Sequence, residues 1–436
     1  MLRTLDLRSS GPFDTVPQGM IPRAEVDVSV AVETARELID DVRARGENAL
    51  REQAERLDGG APEHVRVPVE QIAAAVDALP GDVRKALETA IARVRRGSAA
   101  QVPPETVTEV GDGARITQRW QPVERVGLYV PGGKAVYPSS VVMNVVPAQV
   151  AGVRSIALAS PPQRAFGGAV HPVILGAAGL LGIDEVYAMG GAGAVGAFAY
   201  GVPGLDLAPV DIVTGPGNVY VAAAKRLVRG VVGIDSEAGP TEILIIADAS
   251  ADADLLAADL ISQAEHDELA AAVLVTDSAE LAEAVVVAVE RRAATTRHAE
   301  RVRVALDGPQ SAVILVPDLA TAAAVSNAYG PEHLELQTVD PHATLATITN
   351  AGAVFVGAHS PVSLGDYLAG SNHVLPTGGQ SRFSSGLGAY TFLRPQQVVE
   401  FDRAALADVH DRIVTLSSAE DLPAHGDAVS ARFSSR

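Results

Sequence analysis

The chain has 436 residues, with 53 Asp and Glu against 34 Lys and Arg, and a formal net charge of −19 at pH 7. A chain of this length predicts two or three domains. The acidic excess argues against phosphate backbones and anionic lipid surfaces, so neither nucleic acid nor a membrane is expected as a partner. The sequence contains no cysteine, which excludes disulfides, thiolate zinc sites and cysteine nucleophiles. Any metal would be held by His, carboxylate or amide groups.

The distribution of apolar residues indicates in which cellular compartment the protein is expected. The first residues, MLRTLDLRSSGPFD, are followed by no apolar stretch, so we expect no secretory signal. The longest apolar run near a helix, Val173 to Ile183, is about half of what a bilayer crossing needs. The sequence therefore predicts a cytoplasmic protein.

The first predicted elements are helices, from Ala24 to about Gln101. Apolar residues recur there at three- and four-residue spacing. Gly59 and Gly60 are expected to end the first helical stretch, and Pro80 to interrupt the second.

After Gln121 short β-rich runs alternate with Ala-rich helical segments. The runs are VGLYVP, SIALAS, EVYAMG and VDIVTG, and later TEILIIAD, AAVLVTD, SAVILVPD and AVFVG. This alternation predicts an α/β protein with two Rossmann-like modules, each with a parallel sheet covered by helices. The residues from about Leu387 are expected to form a small tail with helical character.

One glycine-rich segment, GGAGAVG, contains a formal G-x-G-x-x-G at Gly191, Gly193 and Gly196. The helix after it is cut short by Gly201 and Pro203, and no ribose-binding acid follows about twenty residues on. A plain strand-to-helix turn is therefore favoured over a dinucleotide fingerprint. The segments VPGGKAVYPSS and TGPGNVY also place glycines at the carboxyl ends of predicted strands, so a nucleotide site shared among these loops stays open.

Gln263 and His266 are the first metal candidates. They are three residues apart on a predicted helix and share a face, so both side chains could reach one ion. The alternative is a solvated stripe with Glu265 and Asp267, because Gln is an uncommon zinc ligand.

Two further segments combine acids with histidines. In YGPEHLE, Glu332 and His333 could serve two proton transfers as a general-base pair, or they could be exposed charges at a capped helix start. In GDYLAGSNHVLP, Asp366 and His373 lie among Gly and Pro in a loop typical of function, although Asp366 could equally be a cap.

The segment EDLPAHG near the end of the chain carries Glu420 and His425. Taken alone, it is an ordinary exposed turn. Neither its spacing nor its composition indicates a site.

Taken together, the segments GLYVPGG, VTGPGNVYVAAAKR, AGPTEI, DLISQAEH, YGPEHLE, GDYLAGSNHVLP and EDLPAHG resemble the histidinol dehydrogenases, from roughly Arg23 to Val429. The resemblance implies NAD-dependent oxidation of L-histidinol to L-histidine through L-histidinaldehyde, in two hydride transfers, as the last step of histidine biosynthesis. It also implies one Zn²⁺ per subunit and a homodimer.

The resemblance also implies residue roles. The implied zinc ligands are Gln263, His266, Asp366 and His425. The implied catalytic pair is Glu332 and His333. The zinc ligands and His333 would also contact the substrate, together with Thr241, His373 and Glu420. The implied NAD contacts are Tyr129, Gly193 and Asn218. Gly193 departs from the pattern, because relatives carry Gln there.

The implied chemistry divides the two proton transfers between the catalytic pair. His333 would take the alcohol proton as hydride leaves, and Glu332 would activate the water that hydrates the aldehyde. Because the chain has no cysteine, the aldehyde cannot be oxidised through a thiohemiacetal, and oxidation through its hydrate is the remaining mechanism.

The expected domains follow from these observations. Residues 1–23 would be an N-terminal dimerisation segment, and residues 24–128 plus 242–386 the larger α/β domain with the zinc and catalytic residues. Residues 129–241 would be the NAD-side domain. Residues 387–436 would complete the partner's site in the dimer.

Three other functions remain open at the level of sequence. The chain could be a dehydrogenase of the same fold acting on another polar alcohol, since Gly193 shows that the cofactor side can change. It could be a zinc hydrolase with Glu332 as the base for a metal-bound water. It could also be a zinc-dependent binding or assembly protein without turnover.

Overall fold

The structure is a computed structural model that describes residues 2–9, 20–24, 27–132 and 135–434. Its strands are β1 Arg3–Asp6, β2 Thr106–Gly111, β3 Ala114–Pro122, β4 Arg125–Tyr129, β5 Ser155–Ser160, β6 Val186–Ala188, β7 Ile212–Thr214, β8 Gly233–Ile234, β9 Glu242–Ala247, β10 Ala271–Thr276, β11 Ala312–Leu315, β12 His333–Gln337, β13 Ala353–Val356 and β14 Leu393–Phe401.

Its α-helices are α1 Ser29–Arg45, α2 Glu47–Gln53, α3 Val69–Asp77, α4 Gly81–Ala99, α5 Pro138–Ala151, α6 Pro172–Leu180, α7 Gly191–Tyr200, α8 Val219–Val228, α9 Ala253–Ala264, α10 Ala279–Ala293, α11 Ala299–Asp307, α12 Leu319–Tyr329, α13 Pro341–Leu345, α14 Val362–Tyr367, α15 Arg403–Ala419 and α16 Pro423–Ser430. None of the helices in the described part of the chain is long and apolar enough to cross a bilayer.

The larger sheet has the strand order β1-β11-β10-β9-β12-β13, and all its neighbouring pairs are parallel. Strands β9 and β10 are buried along their whole length, as expected for Ile- and Val-rich runs covered on both faces. Strand β12 was not predicted. Its sequence, HLELQ, carries polar residues that are nevertheless buried, so the alternative of a capped helix start at Glu332 is wrong.

The smaller sheet has the order β6-β5-β4-β7-β8, again with parallel neighbours. Helices follow β4, β5, β6 and β7 in the chain and return the chain to the start of the next strand. The predicted α/β class with two parallel-sheet modules is confirmed.

An antiparallel sheet with the order β14-β3-β2 joins residues 106–122 to the C-terminal tail and was not predicted. Strand β14 pairs with β3 from Leu393 opposite Pro122 to Phe401 opposite Ala114. Strand β2 is exposed along its whole length, so it lacks the alternation that reveals a half-buried strand. The C-terminal tail, for which helical character was predicted, contains the long strand β14 followed by the helices α15 and α16.

The N-terminal helices share their core with the smaller sheet. The buried face of α1, including Ala35, Leu38 and Ile39, packs with α7 and α8, and α3 and α4 pack with α6 and α5. This packing differs from the predicted grouping of residues 24–128 with 242–386. The larger sheet is already covered by its own helices, so its faces leave no room for them.

Strand β1 forms an edge of the larger sheet. Arg3–Asp6 pairs with β11 of the same chain in parallel register, from Arg3 opposite Ala312 to Asp6 opposite Leu315. Part of the segment 1–23 thus belongs to this sheet, and residues 10–19 lie outside the described residues. A role of the segment in dimerisation stays a prediction.

The buried carboxyl group of Glu335 on β12 interacts with the half-buried carboxyl group of Asp259 on α9. Burial and the charge of Asp259 raise the pKa of Glu335 to about 9, and burial raises the pKa of Asp259. The Gln337 amide donates to Glu335 Oε1 at 2.7 Å. Because the folded chain holds a proton on Glu335 that the unfolded chain releases above about pH 4.5, the free energy of unfolding should fall as the pH rises toward 9.

We therefore expect Glu335→Gln to raise the melting temperature at pH 8 by about 2–4 °C and to change it little at pH 5. Thermal unfolding across this pH range measures the effect. Glu283→Gln, at an exposed position on α10, is the control. An unchanged slope of melting temperature against pH in Glu335→Gln would contradict the prediction.

Candidate active site

Most of the predicted site residues meet at the amino edge of the larger sheet. Thr241 immediately precedes β9, and Glu332 and His333 lie at the start of β12, which pairs with β9. Helix α9 runs back toward this edge and ends near Gln263 and His266. Parallel sheets more often bind ligands at their carboxyl edge, so strand order alone would point to the wrong side of this sheet.

The Glu332 carboxylate is held by a chain of hydrogen bonds. The Gln263 amide donates to Thr241 Oγ1 at 2.7 Å, and Thr241 Oγ1 donates to Glu332 Oε2 at 2.6 Å. The backbone N–H of Glu242 donates to the same oxygen at 3.0 Å. Burial raises the pKa of Glu332 to about 7, against these hydrogen bonds, which favour the charged form. A carboxyl group in this range can take up and release a proton near neutrality.

His333 lies beside this carboxylate. Its Nδ1 is 3.7 Å from Glu332 Oε2, is buried and has no hydrogen-bond partner among the described residues. Burial lowers the pKa of His333. The ring is therefore neutral near pH 7 and can accept a proton.

Gln263, His266 and Asp366 form the part of the site that fits a metal ion. Gln263 Oε1 is buried without a partner in the described chain, and His266 Nε2 lies 4.0 Å from Asp366 Oδ2. A buried amide oxygen left unpaired costs about 1–3 kcal/mol, which a bound cation would offset. No three His, Asp or Glu side chains of the described residues form a metal-binding group by themselves. These residues fit a cation that needs the amide and at least one further ligand.

His373 connects this edge to the smaller module. Its Nδ1 lies 2.9 Å from the Asp366 carbonyl oxygen, and its Nε2 lies 3.1 Å from Ser140 Oγ at the start of α5. The neighbouring Asn372 amide donates to the carbonyl oxygen of Met143 at 2.7 Å. Ser140 and Asn372 were missed, because neither belongs to a charged or metal-binding pattern in the sequence.

Glu420 and His425 are not brought to this edge within the chain. Both are exposed. Glu420 directly follows α15, and His425 lies in the first turn of α16, which packs against α15. Within residues 2–9, 20–24, 27–132 and 135–434, no hydrogen bond or ion pair joins their side chains to another predicted site residue. Their roles stay predictions that require a second copy of the chain.

A cavity of about 600 Å³ opens at the carboxyl edge of the smaller sheet. Tyr129, Gly132, Gly191 and Asn218 contribute to its lining. The backbone N–H of Gly191, at the start of α7, donates to the Tyr129 hydroxyl at 3.2 Å, and the Asn218 side chain caps α8. Two helix N-termini facing one cavity suit the phosphates of a nucleotide. The glycine-rich turn thus belongs to a candidate nucleotide site shared among several loops.

Gly193 lies inside α7 and packs against Gln53 of α2. A Cβ at Gly193 would collide with the Gln53 side-chain amide, whose nitrogen donates to the carbonyl oxygen of Leu38 at 3.1 Å. An amide therefore lines the cavity beside Gly193, but it comes from another helix. Sequence reasoning missed Gln53, because nothing in the local pattern of α2 indicates a ligand.

A buried ion pair supports the loop that precedes Asn218. Lys225 Nζ lies 2.5 Å from Asp235 Oδ1 and donates to the Gly215 carbonyl oxygen at 2.5 Å. The other Asp235 oxygen accepts the Gly215 N–H at 2.8 Å. Gly215 has a φ of +116°, and a Cβ there would collide with the Tyr129 carbonyl oxygen. These contacts hold the TGPGN loop against the end of β4.

Comparison with known proteins shows the family to which this chain belongs. The family model for histidinol dehydrogenase matches residues 21–433. The chain is 71% identical over 435 residues to the histidinol dehydrogenase of Leifsonia xyli subsp. xyli, covering 100% of both chains. It is 57% identical over 433 residues to that of Thermobifida fusca, covering 99% of this chain and 98% of the relative.

A solved structure of the same family also matches the fold of this chain. The crystal structure of histidinol dehydrogenase from Elizabethkingia anophelis matches with a TM-score of 0.91 at 31% identity, over 99% of this chain and 98% of that one. This chain belongs to the histidinol dehydrogenase family of oxidoreductases.

Proposed function

We propose that this chain oxidises L-histidinol to L-histidine through L-histidinaldehyde, with two hydride transfers to NAD and one Zn²⁺ per subunit, as a cytoplasmic homodimer. The observation that carries the proposal is the meeting of two sets of side chains at one sheet edge. The unpaired Gln263 amide oxygen and the His266–Asp366 pair lie there together with the buried Glu332–His333 pair.

The metal set supports a site for an amino alcohol. Gln263, His266 and Asp366 would hold zinc together with His425 from a second copy of the chain. When bound, zinc draws electron density from the substrate hydroxyl and orients the imidazole and amine of histidinol. Thr241, His373 and Glu420 of the second copy would contact the remaining polar groups of the substrate.

In the first oxidation His333 acts as the base. Tyr129, Gly193 and Asn218 would hold NAD, which would supply the hydride acceptor for the carbinol carbon in each of the two steps. His333 accepts the hydroxyl proton, since burial lowers the pKa of its ring and keeps it neutral near pH 7. The products of this step are the aldehyde, one NADH and one proton.

In the second oxidation Glu332 acts as the base. It removes a proton from the water that adds to the aldehyde carbonyl, which gives the hydrate. The hydrate then loses a hydride and a proton to give the carboxylic acid and a second NADH. Thr241 and the Glu242 N–H hold the carboxylate in place for this step. No thioester is needed, consistent with the absence of cysteine.

We expect limiting L-histidinol to yield two NADH per alcohol, and the yield to be lost after zinc is removed by a chelator and restored when zinc is added back. Absorbance at saturating NAD measures the yield. L-leucinol, which lacks the imidazole, is the control substrate and should give none. A yield of one would contradict the two-step reaction, and a yield of none would favour a hydrolase or a binding protein.

A further inference from the structure

One carboxylate in the cofactor-side cavity has no role in the reaction described above. Asp58 ends the π-helical turn Ala54–Asp58 that follows α2, and it contributes to the lining of the cavity of about 600 Å³. It is half-buried, and no hydrogen bond or ion pair to its carboxylate occurs among the described residues. Burial raises the pKa of Asp58 to about 6, so the group is mostly ionised at pH 7 and both of its oxygens are free to accept hydrogen bonds.

The surrounding backbone fixes where this carboxylate lies. A Cβ at Gly190 would lie 2.8 Å from Asp58 Oδ2, so the carboxylate packs directly beside the start of α7. Gly59, the next residue, has a φ of +81°, and its carbonyl oxygen accepts a hydrogen bond from Arg164 Nε at 3.0 Å. The N-terminal helices thus bring Asp58 to the glycine-rich turn, although it precedes that turn by more than a hundred residues.

The position of Asp58 within the cavity indicates which half of a dinucleotide it faces. His373, a proposed substrate contact, meets the smaller module at Ser140, which follows β4. Asp58 lies against Gly190, which follows β6, and β5 separates these two strands. The distance across two strand spacings is about 10 Å. A dinucleotide with its nicotinamide ring toward His373 therefore has its adenosine half toward Asp58.

We propose that Asp58 accepts hydrogen bonds from the adenosine ribose hydroxyls and thereby selects NAD over NADP. A carboxylate that pairs with the 2′-hydroxyl of a ribose repels the 2′-phosphate of NADP at the same place. Arg56 and Arg164 line the same cavity and are the cations that would attract that phosphate once the carboxylate is gone. Asp58 thus supplies the ribose-binding acid that does not follow the glycine-rich segment in sequence.

This proposal rests on the NAD dependence proposed above, and equilibrium binding tests it without turnover. Fluorescence titration of the full-length zinc-loaded enzyme with NADH and with NADPH gives both dissociation constants. We expect the unaltered enzyme to bind NADH at least about 100-fold more tightly than NADPH. Asp58→Asn, which removes the charge and keeps the shape, should tighten NADPH binding by about 10-fold. Asp58→Ala should weaken NADH binding by about 10-fold.

Glu55→Gln is the matched control, because Glu55 belongs to the same helical turn but is exposed and does not line the cavity. It should leave both dissociation constants within about two-fold of those of the unaltered enzyme. In Asp58→Asn, kcat/KM for NADP divided by kcat/KM for NAD should rise by about the same factor as the affinity for NADPH relative to NADH. The role of Asp58 is overturned if the unaltered enzyme binds NADH and both Asp58 variants bind the two nucleotides as it does. Failure of the unaltered enzyme to bind NADH would overturn the proposed function as well.

Discussion

Replacing Glu332 by Gln is expected to stop the second oxidation while much of the first remains. Removal of a general base typically slows its step by about 10²–10⁴-fold. The Gln side chain can still accept the hydrogen bonds from Thr241 and the Glu242 N–H, so the site should keep its shape. Histidinol should then give about one NADH per alcohol in the early phase, and histidinaldehyde should accumulate, as measured by absorbance and by trapping the aldehyde with a hydrazine.

The pH dependence provides a second measurement on the same variant. Because burial raises the pKa of Glu332 to about 7, the rate of aldehyde oxidation by the unaltered enzyme should rise as the pH passes through 7. Glu332→Gln should lack this rise. Glu335→Gln, a buried Glu on the same strand, is the control and should keep both oxidations. Equal loss of the two steps in Glu332→Gln would contradict the separate roles of Glu332 and His333.

Mixing two variants that cannot form L-histidine should restore its formation if the site is shared between subunits. We expect Glu332→Gln and His425→Ala dimers each to form almost no L-histidine alone, because the first lacks the base for the second oxidation and the second lacks a proposed zinc ligand. After reversible dissociation and mixing in equal amounts, about a quarter of the sites should be intact, because one site of each mixed dimer combines an unaltered Glu332 with an unaltered His425. Recovery of L-histidine formation measures the effect, since Glu332→Gln alone still gives NADH from the first oxidation. The physical reason is that His425 is exposed in the first turn of α16, and within the described residues it joins no metal-binding group with His266 and Asp366 of its own chain.

The control mixes Glu332→Gln with His266→Ala. Glu332 and His266 meet at the same sheet edge within one chain, so each site of a mixed dimer carries at least one defect and no L-histidine formation should return. Absence of recovery in the Glu332→Gln and His425→Ala mixture, with mixed dimers demonstrated by mass spectrometry, would place His425 outside the partner's site.

The buried strands were predictable because burial selects their composition. Runs such as TEILIIAD and SIALAS are apolar over a length suited to strands, and the helices between them have apolar residues at three- and four-residue spacing. The antiparallel sheet was not predictable in this way. Its β2 strand is exposed, and its β14 strand pairs with residues far earlier in the chain, so neither leaves a local pattern.

The candidate site likewise has features that the sequence indicated and features that only the tertiary structure revealed. Sequence alone indicated Gln263, His266, Glu332, His333, Asp366 and His373 as candidate site residues, since acids, amides and histidines cluster in short motifs. Only the tertiary structure decided that they meet at the amino edge of the larger sheet, because α9 returns the chain to the start of β12. It also decided that Gln53 and Asp58 line the cavity at the carboxyl edge of the smaller sheet, because the packing of the N-terminal helices against that sheet depends on contacts between residues distant in the chain.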